Sequence, residues 1–141
     1  MKNKEFWKRG AVEAVSFLVL FPVLVIVFMF LIYILQLTVT TQSLSFAAYY
    51  ATRAAVVSET EEDAFNNANI VANKCLPTGF MRMSNARWTY QTEDGDPDVW
   101  VKGKIIRGTV KVDADLRMVF FGAGKKEMTA SAVCMVERPA T

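Results

Sequence analysis

The sequence AVSFLVLFPVLVIVFMFLIYILQL, residues 14–37, is apolar and uncharged, and no charged residue follows it until Arg53. An α-helix rises about 1.5 Å per residue, so about 20 apolar residues are enough to cross the hydrocarbon core of a bilayer. Inside lipid a segment must satisfy its own backbone hydrogen bonds, and a single span does so only as a helix. We therefore predict a transmembrane helix over residues 14–37.

Basic residues precede the span and predict its orientation. Lys2, Lys4, Lys8 and Arg9 lie before it, while the polar stretch that follows carries no charge. Because basic flanks stay on the cytoplasmic side, the N-terminus is predicted to lie inside and the chain from about Thr38 outside. A cleaved signal peptide is the rival interpretation, but the apolar region of such a peptide is about 7–15 residues long, shorter than this one.

The remaining sequence limits the classes of function. The chain has 141 residues, a net charge of +2 and no histidine, so about 90 residues are left for one small exterior domain. The basic excess lies mostly in the N-terminal head, which argues against nucleic-acid binding by the exterior part. The sequence has no histidine base, phosphate-binding glycine loop or metal-ligand cluster, so neither an enzyme nor a cofactor is expected.

Helical sequence continues beyond the span. Residues 38–57 contain no glycine or proline and are rich in alanine, the strongest helix former. Ser58 and Glu61 have the spacing of a capping box, which predicts a second helix over Glu61–Leu76. Apolar residues recur in it at helical spacing, and the Pro-Thr-Gly sequence that follows ends it.

Strand patterns follow the second helix. Strands are predicted at Arg87–Gln91, Val99–Val101, Thr109–Leu116 and Met128–Val136, and an apolar loop with a turn at Phe120–Gly124. The two longest runs alternate and have one apolar face, so we expect a small antiparallel sheet that buries this face against the helical residues 49–75. The predicted fold class is α+β: a long N-terminal helix, a second helix and a small antiparallel sheet.

The predicted organisation has three parts. Residues 1–10 form a basic cytoplasmic head or leader, residues 11–57 the long hydrophobic helix, and residues 58–141 the exterior domain. Cys75 and Cys134 lie on the predicted buried faces of the second helix and the last strand. An oxidising exterior favours a disulfide between them, two buried free thiols are the alternative, and the sequence leaves both open.

Two other patterns have a functional and a structural interpretation. The acidic residues 93–98 begin like a calcium loop, but the glycine and the final glutamate that such a loop needs are missing, which favours a polar surface turn. Trp88, Tyr90 and Trp100 are suited to stacking on a ligand, but packing in a core or across strands is the more common use of such residues.

Short motifs follow one another in a recognisable order. Arg9-Gly10 closes the basic head, Glu13 stands at the start of the span, and Phe21-Pro22 lies within it. An alanine-rich stretch at residues 47–55 and a final strand at residues 130–137 complete the order. In this order the motifs resemble the TadE-like pilins, the pilin-like proteins of tight-adherence pilus systems within the type IV pilin class. The resemblance covers most of the chain.

The resemblance implies roles for single residues. A prepilin peptidase would cut after Gly10 and leave Ala11 as the new N-terminus. Glu13, or Ser16 at the position where the family has its acid, would dock the helix onto a neighbouring subunit, and Pro22 would act as an assembly hinge. The alternatives are a glutamate at the level of the lipid headgroups and a tolerated membrane kink.

The resemblance also implies a function. The chain would be a structural subunit, a major or minor pilin, of a tight-adherence or type IV-like pilus used in adhesion. Its partners would be other copies or related pilins, membrane lipid, a prepilin peptidase and an assembly platform, with no nucleic acid. It would lie in the cell membrane as a single-pass protein, or in a pilus at the cell surface. The alternative is a single-span component of a secretion or conjugation apparatus that is never extracted, with an exterior binding domain.

Overall fold

The computed structural model of the chain describes residues 2–76, 82–93, 100–118 and 122–137. The chain divides into two compact units, unit 1 over Met1–Leu35 and unit 2 over Gln36–Thr141. Two helices are followed by three strands. The predicted α+β class is therefore confirmed, with a long N-terminal helix, a second helix and an antiparallel sheet.

Helix α1 covers Lys2–Val56 and contributes residues to both units, and helix α2 covers Glu61–Cys75. The second helix is thus confirmed to within one residue of the predicted end. Helix α1 already begins at Lys2, so the backbone of the basic head is helical as well. It remains helical through Pro22, although a proline lacks the N–H that would bond to the carbonyl four residues earlier.

The cap of α2 differs from the prediction. Thr60, not Ser58, is the N-cap: its backbone is extended, at φ −119° and ψ 158°, and its Oγ1 accepts a hydrogen bond from the Asp63 N–H at 3.1 Å. An N-cap residue needs this non-helical backbone to bring its oxygen over the first turn. The Ser58 hydroxyl instead donates to the carbonyl of Ala54 at 3.0 Å, in the last turn of α1.

Three antiparallel strands form one sheet. Strand β1 covers Arg82–Thr92, β2 covers Ile105–Met118 and β3 covers Gly122–Met135. The order across the sheet is β1-β2-β3, so β2 is central and the chain order is also the spatial order. Strands joined in this order need only short connections, which suits the small size of unit 2.

Two of the predicted elements in this region were wrong. Trp100 and Val101 lie in a bend and turn rather than a strand, and Val99 lies outside the described residues. The reason is a tight turn in which the Lys104 N–H donates to the Val101 carbonyl at 3.1 Å, with Gly103 at φ 89°. A positive φ at the third turn position favours glycine.

The predicted loop at Phe120–Gly124 is the second error. Gly122 and Gly124 are the first and third residues of β3, paired with Met118 and Leu116, and Phe120 and Phe121 lie outside the described residues. Glycine is a weak strand former, so the local sequence indicates a turn. Continuous pairing with the long strand β2 overrides that preference.

The core of unit 2 lies between one face of the sheet and the two helices. Small side chains from the helices meet larger ones from the sheet, as predicted for the helical residues 49–75. The residues with no exposed surface are Ala47, Ala48, Ala51, Thr52, Ala55, Val56, Ala64, Ala68, Ala72, Trp88, Ile106, Val110 and Val136. The predicted alternation in β2 is confirmed, because Val110, Val112 and Ala114 are all buried.

Helix α1 approaches the sheet most closely at Gly108. A Cβ atom built on Gly108 would lie 2.0 Å from Thr52 Oγ1 and 2.6 Å from Trp88 Nε1. Trp88 Nε1 donates to Thr52 Oγ1 at 3.2 Å, and the Thr52 hydroxyl donates to the Ala48 carbonyl at 2.7 Å. The absence of a side chain at Gly108 therefore lets a fully satisfied polar pair lie inside the core.

Helix α2 covers an irregular part of β1. The register of β1 against β2 shifts between Ser84 and Arg87, and Asn85 has a φ of 59°. Asn69 on α2 accepts a hydrogen bond from the Trp88 N–H at 2.9 Å through its Oδ1. Side-chain amides of α2 thus replace the partners that an irregular strand loses.

Candidate membrane-spanning and assembly surface

The first part of the candidate surface is the apolar helix itself. From Val12 to Leu35 no described side chain is buried, and large apolar residues are exposed by amounts from 43% at Ile34 to 74% at Leu18. Within the described residues this is the one helix long and apolar enough to cross a membrane, with a mean hydropathy of 3.1 in its most apolar window. In water such a surface would be strongly unfavourable, so an apolar environment has to cover it.

The candidate assembly residues lie near the start of this segment. Glu13 and Ser16 are both exposed, and at about 100° per residue they lie about 60° apart on one face of the helix. Pro22 is nine residues beyond Glu13, which places it about 180° away, on the opposite face. The structure thus brings Glu13 and Ser16 together and separates both from Pro22.

The described residues give Glu13 no hydrogen-bond or ion-pair partner, and it is the only carboxylate between Val12 and Leu35. A lone carboxylate is costly inside lipid, by roughly 2.5–3.5 kcal/mol at a helix centre on insertion scales. Gly10 and Ala11, the candidate processing residues, are helical in backbone. Processing there, and the roles of Glu13, Ser16 and Pro22, stay predictions.

Polar residues after the apolar segment satisfy themselves within the helix. The hydroxyl of Thr40 donates to the Gln36 carbonyl at 2.7 Å, and that of Thr41 to the Leu37 carbonyl at 2.9 Å. Ser45 donates in the same way to the Thr41 carbonyl at 2.9 Å. Because these three hydroxyls need no external partner, they can be packed against protein or lipid without being left unpaired.

Within unit 2, α1 has two different apolar faces. One face, which consists mostly of alanines, is buried in the core. The other carries Phe46, Tyr49 and Tyr50, exposed by 62%, 51% and 52%, and Val57 follows directly after the end of α1, exposed by 43%. We call these four residues the aromatic stripe. The stripe was not predicted from the sequence, although Tyr49 and Tyr50 follow Phe46 by three and four residues and Val57 follows Tyr50 by seven, a helical spacing opposite the alanines that could have indicated it.

Four aromatic residues of unit 2 form a packed row rather than a binding site. The rings of Phe65, Trp88, Tyr90 and Trp100 follow one another with centroid distances of 6.3, 5.4 and 5.8 Å. Trp88 is fully buried, and Trp100 Nε1 donates to the Ser58 carbonyl at 3.2 Å. These contacts favour the packing interpretation.

Tyr90 is the titratable member of this row. Its hydroxyl donates to a carboxylate oxygen of Glu61 at the start of α2. Burial, and then the hydrogen bond to Glu61, raise the pKa of Tyr90 to about 12. Both effects favour the neutral phenol, so Tyr90 joins the first turn of α2 to strand β1 and is poorly suited to proton transfer near neutral pH.

Cys75, the last residue of α2, lies toward one end of the sheet. Two residues earlier, Asn73 Nδ2 donates to the Ala86 carbonyl of β1 at 3.4 Å. The chain of α2 continues from there toward the first residues of β1. Cys75 is therefore close to the end of the sheet at which β1 begins, and it is a half-buried free thiol.

Cys134 lies at the opposite end. It pairs with Ile106, which in turn pairs with Thr92, the last residue of β1. The six residues from Ala86 to Thr92 span about 20 Å, whereas the two Cα atoms of a disulfide lie within about 7 Å. This placement favours the free-thiol alternative for the pair. Burial, opposed by Arg53, raises the pKa of the Cys134 thiol, which lowers its reactivity.

Other candidate chemistry finds little support in the part of the chain that the structure describes. No group of three or more potential metal ligands occurs there. A cavity of about 320 Å³ lies between the end of α1 and the start of α2, lined by Ala54, Val57, Ser58, Glu59, Asp63 and Asn67. The acidic residues 94–98 lie outside the described residues, and Glu93 accepts a hydrogen bond from Arg107 at 2.9 Å.

Comparison with known proteins gave no match: no protein-family model, no curated protein and no solved structure matches this chain. The geometry of the molecule itself therefore has to carry the functional argument.

Proposed function

We propose that the chain is a structural subunit of a tight-adherence or type IV-like pilus, inserted in a membrane and assembled through α1. The observation that carries this proposal is the exposed apolar surface of α1 between Val12 and Leu35, combined with a separately folded unit 2. A filament subunit needs both features, because the apolar helix is stored in lipid and later packs among other helices. Lipid and neighbouring helices are similarly apolar, so the transfer between them requires little free energy.

The aromatic stripe supports the same proposal. Beyond the mostly polar residues 38–45, Phe46, Tyr49 and Tyr50 give α1 a second exposed apolar surface, on the outer side of unit 2. Their rings are large and amphipathic, a type of residue enriched at protein interfaces. In a filament, α1 would contact neighbouring copies over both the apolar segment and this stripe. The N-terminus would be cytoplasmic before assembly, and unit 2 would lie outside the cell.

The decisive experiment follows the N-terminus and the location of the subunit. Surface filaments are sheared from cells, and the subunit in them is compared with the membrane pool by N-terminal sequencing. A subunit that begins at Ala11 in the filaments supports the proposal. Absence of the subunit from filaments, with an uncut head in the membrane, contradicts it.

Glu13→Ala tests the docking role within the same assay. Loss of the carboxylate should leave the protein folded and inserted, but reduce the filament fraction about ten-fold or more, since an unpaired charge no longer selects the docked state. Glu13→Asp is the matched control, because it keeps the charge. Ser16→Ala tests the other register, in which Ser16 fills the position of the family's acid. A normal filament yield for Glu13→Ala would remove the docking role.

A second candidate function is a membrane anchor that is never extracted, as part of a secretion or conjugation apparatus. The specific observation in its favour is Ser16, a neutral residue at the position where the resembled family has its acid. A protein of this kind would keep residues 1–10 and stay entirely in the membrane fraction. Its exterior partner would bind unit 2, and the sequencing experiment distinguishes the two functions directly.

A further inference from the structure

The sheet of unit 2 has two ends with different charge. At one end Ile105 pairs with Met135, and at the other Asp115 pairs with Lys125. Helix α2 begins at the first end, where Glu61 accepts the hydrogen bond from Tyr90. We call this the acidic end. Its exposed acids are Glu59, Glu61, Glu62, Asp63, Glu93 and Glu137. Glu137 and Glu93 are paired with Arg53 and Arg107, and Lys102 and Lys104 also lie at this end, so the acids outnumber the bases there by two.

The opposite end carries exposed lysines, and we call it the lysine end. Lys125 and Lys126 are the fourth and fifth residues of β3, and Lys74 lies in the last turn of α2. Neither Lys125 nor Lys126 has a side-chain hydrogen bond or ion pair with another described residue. Their positive charges are therefore available to a ligand outside the chain.

The acids closest to the lysine end are already engaged. Asp113 accepts a hydrogen bond from Asn85 Nδ2 at 3.2 Å, and Glu127 lies 3.8 Å from Lys111 Nζ. Asp115 also interacts within the fold. These acids do not neutralise the two lysines through a direct contact.

The lysine end is also the end at which α1 enters unit 2. Thr52 meets Gly108, and one turn later in α1 the Val56 carbonyl accepts a hydrogen bond from the Glu137 N–H at 3.3 Å, at the acidic end. Going back along α1 from Val56 through Thr52 therefore leads away from the acidic end, toward the lysine end. From Thr52 back to Gln36 the helix spans about 24 Å.

Along a strand the same distance corresponds to about seven residues. Seven residues beyond Gly108 is Asp115, which pairs with Lys125. Gln36 is 6% exposed, as expected if this end of the sheet covers it. Gln36 is covalently joined to Leu35, where the exposed apolar segment ends. Within unit 2, the lysine end is therefore the end at which the chain continues into the apolar segment.

We propose that the lysine end binds the anionic lipid headgroups of the bilayer that α1 enters, through Lys125 and Lys126. The long apolar stems of lysine allow the ammonium groups to reach the headgroup layer from the protein above it. Lysines near an anionic membrane surface are attracted to it, and the attraction decays within a Debye length. The site requires that α1 lies in a bilayer, and it does not depend on filament assembly.

The first test measures how fast each lysine is chemically modified in the full-length protein, reconstituted into two kinds of vesicle. One contains only phosphatidylcholine, and the other contains phosphatidylcholine with phosphatidylglycerol. Each lysine is modified with an uncharged amine reagent and quantified by mass spectrometry. Binding predicts about five-fold slower modification of Lys125 and Lys126 in the anionic vesicles, reversed by high salt, with Lys102 at the acidic end unchanged. Equal rates for Lys125 in both vesicles would overturn the proposal.

The second test uses matched variants and the stability of unit 2. A ligand that binds only the folded state stabilises it, so phosphatidylglycerol should raise the unfolding midpoint of unit 2 in the wild type. The Lys125→Gln, Lys126→Gln double variant should lose this increase. The control is Lys102→Gln with Lys104→Gln, which removes the same charge at the acidic end and should keep the increase. Loss in both double variants would mean a non-specific charge effect and would contradict the site.

A second copy of the chain is the competing occupant, because its acidic end is complementary in charge. In that case protection of Lys125 and Lys126 would rise with protein density in the vesicle and would be the same without anionic lipid. This outcome overturns the lipid proposal. The labelling experiment needs no variant, so it remains decisive if the double variant does not fold.

Discussion

Between Val12 and Leu35 no described side chain is buried, whereas unit 2 contains alanines, valines and a tryptophan with no exposed surface at all. The first segment is helical because its backbone hydrogen bonds are local and its surroundings are apolar, and any apolar side chain suits this purpose. In unit 2 the shape depends on which side chains meet, as at Thr52, Trp88 and Gly108. The two regions should therefore respond to mutation in opposite ways.

The largest effect is expected for Trp88→Ala. Trp88 is fully buried and is the largest side chain in the core of unit 2, so its removal should reduce the free energy of unfolding by about 4 kcal/mol. The helix of unit 1 should remain, because it makes no use of this core. Near-ultraviolet circular dichroism during denaturation in detergent measures the unfolding of unit 2. Far-ultraviolet circular dichroism measures the helix that remains.

The control for Trp88→Ala is Thr89→Ala, the next residue along β1, whose side chain is exposed. It should change the stability by less than about 0.5 kcal/mol. Equal effects of the two substitutions would mean that unit 2 does not depend on a specific core, and the comparison between the units would fail.

A charge within the apolar segment is the converse test. Val27 is 52% exposed, and Val27→Arg should make membrane insertion less favourable by about 3 kcal/mol while the unfolding of unit 2 stays the same. Val27→Leu is the matched control and should be neutral. The native segment inserts so strongly that a loss of about 3 kcal/mol would not show. Both variants are therefore made in a chain with Leu18→Ser and Leu31→Ser, which lowers insertion, and the inserted fraction is measured with a glycosylation reporter of translocation. Equal insertion of the two variants would contradict a lipid-facing position.

These differences explain what the sequence could and could not predict. The apolar segment was predicted from composition alone, because its requirement is a length of about 20 uncharged residues. The face of β2 with Val110, Val112 and Ala114 was predicted from strict alternation. Phe120–Gly124 and Val99–Val101 were assigned wrongly, since strand pairing and a glycine turn decided those elements.

The candidate sites also include residues that sequence alone can place and residues that only packing brings together. Glu13, Ser16 and Pro22 follow from linear order in the sequence, and helical geometry then gives their relative faces. The lysine end does not follow from sequence, because Gln36 and Lys125 are far apart in the chain and are brought to one level only by the packing of α1 on β2. The exposed side of α1 in unit 2 did have a signal in the sequence, the helical spacing of Phe46, Tyr49 and Tyr50 opposite the alanines, and the burial of those alanines shows it directly.

A smaller effect is expected for Gly108→Ala. The new methyl group would collide with Thr52 Oγ1 and Trp88 Nε1, so α1 or the strand must shift, at a loss of about 2 kcal/mol in the stability of unit 2. Gly124→Ala is the control, because no heavy atom lies within 4 Å of its added Cβ. Thr52→Ala combined with Gly108→Ala should recover part of the loss, because the nearest obstacle is removed. Simple addition of the two losses would contradict the close approach of α1.

The smallest effect concerns Tyr90, at the exposed rim of the core of unit 2. Its pKa in the folded protein, about 12, lies above its ordinary value of 10.0. The native state therefore keeps the phenol proton when the unfolded state releases it, so the contribution of Tyr90 to stability is complete below pH 10 and is lost as the pH rises through about 12. Because Tyr90 is only half-buried, solvent screening limits this contribution to about 0.5 kcal/mol. Denaturation of the detergent-solubilised chain at several pH values should show a steeper loss of stability for the wild type than for Tyr90→Phe. Glu61→Gln should keep much of that slope, because burial of the phenol, rather than its hydrogen bond to Glu61, is the larger cause of the shift.

Identical slopes for the wild type and Tyr90→Phe would mean that the phenol is as solvated in the folded protein as in the unfolded chain. In that case the core of unit 2 would end at Trp88, and Tyr90 would resemble the exposed side chains of the apolar segment.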